Sequence, residues 1–472
     1  MINAGFSPAL VYPPGMEEEE IDGFWQDIAT VFPEGITQPV SLELDTEVEK
    51  ETKAIRPRLS RLTSLTTLNI TSEFRKESVM NTWMEPFTAV LPQLRHLLLD
   101  VTADCLEGLS RWLKQMPQLE SLVLQVYTLE NKSGLGLQLD SLTNLRHLYI
   151  SVNKIGVPNQ FYIPALPSLV HLEVCCSTRR GRTPGLTAWL PNLAGMTSLD
   201  SLILESLDEV DMAVLGQYLP TQLLSLQFRS GEVSNETALQ FYLAMKRHTQ
   251  LTYLDVWVLE YKWRPELREQ WLDWYSSSAI TYLNGSSTAG DVFWPETRPP
   301  MKHLRTLVWD DGYGLSSMLR YHTQLTRFCL RSYPTEPLTA LQGLRQLTQL
   351  DLFVPVTPEL LQFVWPDLAS LRILFNRDTL VPAFSAFLDH HPSLTKMDLT
   401  LYLESKACYV ACWNRLVQCP ELVKLDVHDY PKLSEPPFDL TLESVTTTLR
   451  TLTRRCEYSS CYLNLPENHR LE

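Results

Sequence analysis

Cysteine is thinly spread in this chain, 9 in 472 residues, and the paired clusters that cap extracellular repeat domains are missing at both ends. That argues against a disulfide framework and for a reducing compartment. Met1–Leu10 carries no basic stretch followed by an apolar core, so it does not read as a secretory signal. No run approaches the ~18 apolar residues that a membrane helix needs. Without a secretory route, the sequons at Asn69, Asn131, Asn235 and Asn284 carry no weight. The expected location is the cytoplasm, with the nucleus as an alternative. Basic charge is scarce as well: 40 Lys and Arg stand against 55 Asp and Glu, a net charge of −15. Nucleic acid is then a poor default partner, and a neutral or basic protein a better one. No membrane contact is expected.

Chemistry is also missing. There is no phosphate loop, no nucleophile elbow and no GxGxxG. Cys408, Cys412 and Cys419 share one predicted helix and its exit, but zinc would need a fourth ligand and a paired short-spacing motif. They read as small core residues, as do Cys456 and Cys461. No enzyme activity, no metal and no cofactor is expected. No Ser/Gly linker or low-complexity tract marks a domain boundary, which points to one elongated domain.

What the chain does have is one phrase repeated: a leucine, two residues, a leucine, one residue, a leucine. It stands as Leu94-Leu97-Leu99, Leu119-Leu122-Leu124, Leu145-Leu148-Ile150, Leu169-Leu172-Val174 and Leu199-Leu202-Leu204, and on through Leu251-Leu254-Val256, Leu347-Leu350-Leu352 and Leu422-Leu425-Val427. First leucines of neighbouring copies lie about 21 to 30 residues apart. Pro or Thr recurs just ahead, as in Leu91-Pro92-Gln93-Leu94, His248-Thr249-Gln250-Leu251 and His391-Pro392-Ser393-Leu394.

This pattern resembles the leucine-rich repeat superfamily over nearly the whole chain, from about residue 40 to about residue 454. One unit matches the family phrase in full, with Leu145, Leu148, Ile150, Asn153 and Ile155. Most others lack the Asn, which suggests irregular turns and a degenerate subclass. The resemblance implies an α/β solenoid of about 16 to 17 units over residues 39–455, a horseshoe with a parallel sheet on its concave face and helices outside. Helices are fatter than strands, about 10 Å against about 4.8 Å, so such a stack must curve.

Several connectors carry helical periodicity. Asp104 can cap a helix through Leu106, Leu109 and Leu113, and Asn235 or Thr237 can open a second through Leu239, Tyr242 and Met245. Thr357 with Pro358 opens a third through Leu360, Leu361 and Val364, and further helices are expected over Val381–His390 and Lys406–Val417. Trp263, Trp271, Trp274 and Tyr275 read as packing for another. Residues 1–38 differ in kind: the acidic run Glu17–Glu20 precedes Phe24, Trp25, Ile28 and Val31 at helical spacing, as in a capping helix. Residues 456–472 would form the other cap or a tail. Two loops stand out, the basic Arg179, Arg180 and Arg182, and Asn284–Pro300.

Between the leucines, alternate residues face away from the core. One such column holds His147, His171 and Tyr253. The next holds Tyr149, Glu173, Asp255, Asp351, Asp398 and Asp426. A third holds Glu205, Trp257 and Asp310. Aromatic and acidic residues mixed on one exposed sheet are the composition of a protein-binding face, centred on Tyr253, Asp255 and Trp257. His147 and His171 fall at equivalent positions of adjacent units; with Glu173 they read as a polar patch rather than a metal site. The resulting expectation is a non-catalytic recognition scaffold. The alternative is a regulatory adaptor, either a ubiquitin-ligase substrate receptor of F-box type or a regulator resembling GTPase-activating proteins.

Overall fold

In a computed structural model of the chain, the described residues are 9–12, 41–44, 65–129, 137–155, 162–177, 186–230, 233–258, 265–285, 299–310, 315–333, 337–429, 440–441, 449–456 and 463–464. They fall into two compact units, residues 1–251 and 252–472.

In the first unit the parallel strands β1 (Ala9–Tyr12), β2 (Ser41–Leu44), β3 (Thr67–Phe74), β4 (His96–Thr102), β5 (Ser121–Leu129), β6 (His147–Ile155), β7 (His171–Ser177), β8 (Ser201–Leu207) and β9 (Ser225–Ser230) pair in chain order. The second unit repeats the scheme. Its strands are β10 (Tyr253–Val258), β11 (Tyr282–Gly285), β12 (Thr306–Trp309), β13 (Arg327–Leu330), β14 (Gln349–Pro355), β15 (Ser370–Phe375), β16 (Lys396–Leu401), β17 (Lys424–Asp429) and β19 (Thr451–Cys456). A two-stranded piece, β18 (Leu440–Thr441) with β20 (Leu463–Asn464), stands apart from that sheet. Strand β1 lies inside the segment expected to be a cap; the expected helix through Phe24 and Trp25 lies outside the described residues.

The repeated leucines set the register. Leu68, Leu97, Leu122, Leu148, Leu172, Leu202 and Leu226 are opposite one another on successive strands, and Leu254, Leu283, Leu307, Phe328, Leu350, Leu371, Met397 and Leu425 continue the device in the second unit. All are buried. A one-residue slip would turn a whole row of leucines to solvent, so the pattern fixes the pairing.

The residues ahead of each strand form a recurrent turn. The first leucine's N–H closes back on the carbonyl three residues earlier, as in Leu94 N to Leu91 O (3.2 Å), Leu145 N to Leu142 O (3.1 Å) and Leu368 N to Trp365 O (3.1 Å). Pro92 and Pro366 sit second in such turns, where their fixed φ is preset for the bend. The next two N–H groups share one carbonyl of the preceding repeat, as Arg95 and His96 do with Thr66 O (2.8 and 3.0 Å). Side-chain amides add a ladder at this turn: Asn144 Nδ2 donates to Pro117 O (2.9 Å), Gln222 Nε2 to Met196 O (3.0 Å) and Gln324 Nε2 to Met301 O (2.7 Å). Amides here tie neighbouring repeats together before the strand, both in the unit that carries Asn153 after it and in units that lack such an Asn.

Three buried histidines begin such turns. His322 accepts from Met301 N at Nε2 (3.0 Å), with Nδ1 2.7 Å from Met318 O; His391 repeats this with Trp365 N (3.0 Å) and Phe387 O (2.7 Å). An acceptor Nε2 and a donor Nδ1 define one neutral tautomer. His248 occupies the same position, yet neither of its ring nitrogens has a partner among the described residues. One residue accounts for Nε2: the preceding turn begins at Pro220, closed by Leu223 N to Pro220 O (3.3 Å), and proline has no N–H to give.

Helices fill some connectors and 3₁₀ turns others. The helices are α1 (Glu77–Met84), α2 (Leu106–Leu113), α3 (Glu209–Tyr218), α4 (Asn235–Met245), α5 (Pro265–Ser277), α6 (Leu315–Tyr321), α7 (Val381–His390) and α8 (Lys406–Leu416). Three sequence expectations need correction. Asp104 does not cap α2: a 3₁₀ turn, Ala103–Cys105, leads in and Cys105 is the N-cap, without a side-chain bond. Ser234, rather than Asn235 or Thr237, caps α4, its Oγ accepting from Thr237 N (3.2 Å). The helix expected after Thr357 is only a 3₁₀ turn, Leu360–Gln362, with Val364 exposed. The chain must enter the next Trp365-Pro366 turn almost at once, and a residue before proline is pushed out of the helical region.

The helix-side cores hold Trp271 and Trp274, buried with rings 5.5 Å apart on α5, and Cys412 and Cys419 around α8, whereas Cys408, expected in that core, is only half-buried; Trp263 lies outside the described residues. Gly195 ends a 3₁₀ segment (Leu190–Gly195) where an added Cβ would lie 2.8 Å from Ala165 Cβ. Gly195→Val should therefore cost about 1–3 kcal/mol through overpacking. Gly343, whose nearest neighbour would be Thr323 Cγ2 at 4.0 Å, should accept Ala with little change. Thermal melting of the two variants checks the contrast.

Candidate functional site

The strands of the second unit present side-chain rows on the face opposite the leucines. The first row runs Tyr253, Tyr282, Thr306, Arg327, Gln349, Ser370, Lys396 and Lys424; the second runs Asp255, Asn284, Val308, Cys329, Asp351, Arg372, Asp398 and Asp426. Asp310, Arg331 and Phe353 follow on β12, β13 and β14 or just beyond their ends. Pairing of β10 with β11 stacks Tyr253 on Tyr282, with rings 4.1 Å apart and 10° from parallel. Burial pushes both phenols above their ordinary range. They stay neutral at physiological pH. Trp257 lies in β10, but its side chain is outside the described residues.

Four ion pairs cross this face. Arg327 reaches Asp351 at 3.2 Å, and Gln349 Nε2 holds the same carboxylate oxygen at 2.9 Å. Arg331 lies 3.7 Å from Asp310, and Lys424 lies 3.1 Å from Asp426. Arg372 grips Asp398 through Nε (2.7 Å) and a terminal nitrogen, while its guanidinium lies 5.2 Å from the centre of the Phe353 ring. The carboxylates of Asp310, Asp351, Asp398 and Asp426 are thus not the free surface acids that the alternation suggested. Bases on adjacent repeats neutralise Asp310, Asp351 and Asp398, and Lys424 on the same strand neutralises Asp426. The sequence held that signal: Arg372 and Asp398 occupy one row of adjacent repeats, as do Asp351 and Arg372. Buried Cys329 sits in the second row, its thiol pushed up by burial to about 11.

On the first unit the corresponding second row mixes apolar Leu98, Val123 and Ile203 with Tyr149, Glu173 and Gln227. The rings of His147 and His171 lie 6.3 Å apart, as adjacent equivalent positions require. His171 Nδ1 is 2.9 Å from Ser201 Oγ and Nε2 is 3.6 Å from Glu173. Glu173 also accepts from Cys175 Sγ (3.4 Å), and Glu205 is 3.5 Å from Arg229. Burial, then the charges of Glu205 and Glu173, push the Cys175 thiol far above its ordinary value, so it stays protonated and is no nucleophile. Tyr149 sits beside Glu173 in register, and burial raises its phenol too. Among the described residues, no group of three or more His, Cys, Asp or Glu is placed to hold a metal ion.

The predicted site residues therefore form separate sets: His147, Tyr149, His171, Glu173 and Glu205 on the first unit, and Tyr253, Asp255, Asp310, Asp351, Asp398 and Asp426 along the second. Sequence reasoning missed Tyr282, Arg327, Arg331, Arg372 and Phe353 as members of the second. Arg179, Arg180, Arg182 and most of the Asn284–Pro300 loop lie outside the described residues. No helix among the described residues is long and apolar enough to cross a membrane.

No family model and no curated protein matches the chain. Solved structures do, at low similarity. An internalin, inlF, from Listeria monocytogenes is 13% identical, covering 85% of this chain and 82% of its own, with a TM-score of 0.28. The functional domain of InlJ from the same organism is 13% identical, with 82% and 72% covered and a TM-score of 0.31. A chain of the Drosophila Toll–Spatzle complex is 11% identical, with 98% and 64% covered and a TM-score of 0.35. Scores this low carry no superposition of sites, and the assignment rests on the chain's own leucine phrase, its parallel strands and their register. On those grounds the fold of each unit is that of leucine-rich repeats, parallel strands that each carry the leucine phrase in register.

Proposed function

We propose that the chain is a non-catalytic recognition module that binds a partner protein on the solvent face of its parallel sheet. The observation that carries this is the face of the second unit, where a tyrosine stack, partly exposed arginines and the exposed ring of Phe353 are held on a rigid strand array. Tyrosine and arginine are the side chains most enriched at interface hot spots. Backbone hydrogen bonding between strands fixes their spacing, so little freedom is lost on binding. The free cysteines Cys105, Cys175, Cys329, Cys408, Cys412 and Cys419 support a reducing, intracellular setting.

The test is a paired substitution, Tyr253→Ala with Phe353→Ala, followed by affinity capture with mass spectrometry. Partner recovery should fall at least about tenfold, because central aromatic anchors are each worth about 2 kcal/mol or more. The melting temperature should stay near that of the parent, since neither ring is in the leucine core. Undiminished recovery would remove this face from consideration.

A further inference from the structure

The four ion pairs described on the sheet face of the second unit are layered the same way, whereas the helix-side pair of Arg415 with Asp389 is layered the other way. Arg327, Arg331 and Arg372 keep 43–46% of their side-chain surface, whereas the carboxylates they hold, Asp351, Asp310 and Asp398, keep 7–13%. Lys424 over Asp426 repeats the order, at 44% against 18%, and Lys396 in the same first row is exposed. Acids and bases alternate here, but each pair is a dipole with its positive end outward. From β12 to β17 an approaching partner meets guanidinium and ammonium groups before the carboxylates they hold, although the chain as a whole is strongly acidic.

We propose that this layered face recognises an extended acidic segment of a partner protein, one that also carries an aromatic or aliphatic anchor for Phe353. The proposal rests on the binding-face reading above and names its partner's chemistry. A guanidinium fixed by one carboxylate still has N–H donors to offer, and its planar fork is already oriented for a second carboxylate. Phe353, with Arg372 against it, supplies an apolar surface between those donors. Arg327 on β13 and Arg372 on β15 are two strands apart, about 10 Å, which an extended chain covers in about three residues. Spaced acids with an apolar residue between them would match that layout. A uniform polyanion matches poorly, because it would also meet the acidic partners beneath and the chain's overall negative charge.

The test uses the full-length protein and a labelled peptide repeating Glu-Tyr-Glu-Leu, its Lys-for-Glu counterpart, and a single-stranded oligonucleotide. The acidic peptide should bind at least about tenfold more tightly than either comparator, and its binding should weaken as salt screens the contacts. Lys396→Glu with Phe353→Ser should lose at least about tenfold in affinity with an unchanged melting temperature, since both side chains are exposed. Arg372→Gln alone would strand the buried Asp398, so Arg372→Gln/Asp398→Asn is measured with it; both should weaken binding. Equal or tighter binding of the Lys peptide or the oligonucleotide, no binding of the acidic peptide, or indifference to Lys396→Glu/Phe353→Ser would overturn the proposal. A cross-linker at Ser370 separates the two readings. If it traps a partner through a basic or neutral segment, the acidic-segment proposal falls and the binding face stands; if it traps none, the face itself is wrong.

Discussion

Leu148→Asp should unfold the first unit at temperatures where the parent protein is intact. Leu148 has no exposed surface and lies in register between Leu122 and Leu172. Losing a buried leucine forfeits about 1.5–3 kcal/mol of burial before any cavity forms. An unpaired carboxylate in that apolar row adds several kcal/mol more, so the total should exceed about 4 kcal/mol. Each repeat is stabilised by its neighbours, and the defect therefore weakens both adjoining strands. The melting transition should drop by about 10 °C or more. His147→Asp, one residue earlier on the exposed face, should change stability by no more than about 0.5 kcal/mol. Similar losses for the two variants would contradict the two-residue alternation on which the fold rests.

Acid should destabilise the protein well before its surface carboxylates protonate. Burial lowers the pKa of His248 to about 4, and it lowers those of His322 and His391 as well. In the unfolded chain each imidazole takes up a proton near pH 6.5. Between about 6.5 and 4 the unfolded state therefore binds more protons, and stability falls as pH falls through that window. Asp211 works in the opposite sense. Burial, with the charge of Asp208, raises it to about 6 while its carboxylate accepts from Asp208 N (3.4 Å) and Thr187 N (2.9 Å). Its folded form binds a proton sooner than the unfolded one, which offsets one histidine out of three. The displacement at His248 alone, from 6.5 to about 4, corresponds to about 3 kcal/mol. The melting temperature should be clearly lower at about pH 4.5 than at about pH 7.5. His248→Leu should recover part of that loss, because it removes a ring that gains no hydrogen bond from the fold. A melting temperature flat across the window, or a His248→Leu variant equally acid-labile, would refute this account.

The repeat was legible in the sequence because leucines spaced for one strand face leave few other solutions. The same alternation placed His147 beside His171 and identified the exposed rows. The layering of those rows was not legible. Whether Asp351 or Arg327 lies outermost depends on side-chain length and lateral pairing, and a column read along one strand position does not show either. Helix starts were legible only to within a residue or two, as at Ser234, because Ser, Asn and Thr are all good caps and occur together there. The role of the turn histidines was hidden for a different reason. A histidine beside a Pro or Thr reads as loop, and its buried bonds arise only from the N–H of the preceding repeat. Pro220, which deprives His248 of that bond, becomes meaningful only once the repeats are stacked.

The central claim is that the sheet face opposite the leucines is the surface that meets a partner. A photo-crosslinking residue placed at Ser370, on that face of β15, tests it against one placed at Ala411, exposed on helix α8. Irradiation in cell extract should give a discrete covalent adduct from Ser370 that competes away with unlabelled protein, and none from Ala411. An adduct formed only from Ala411 would assign binding to the helices and contradict the claim.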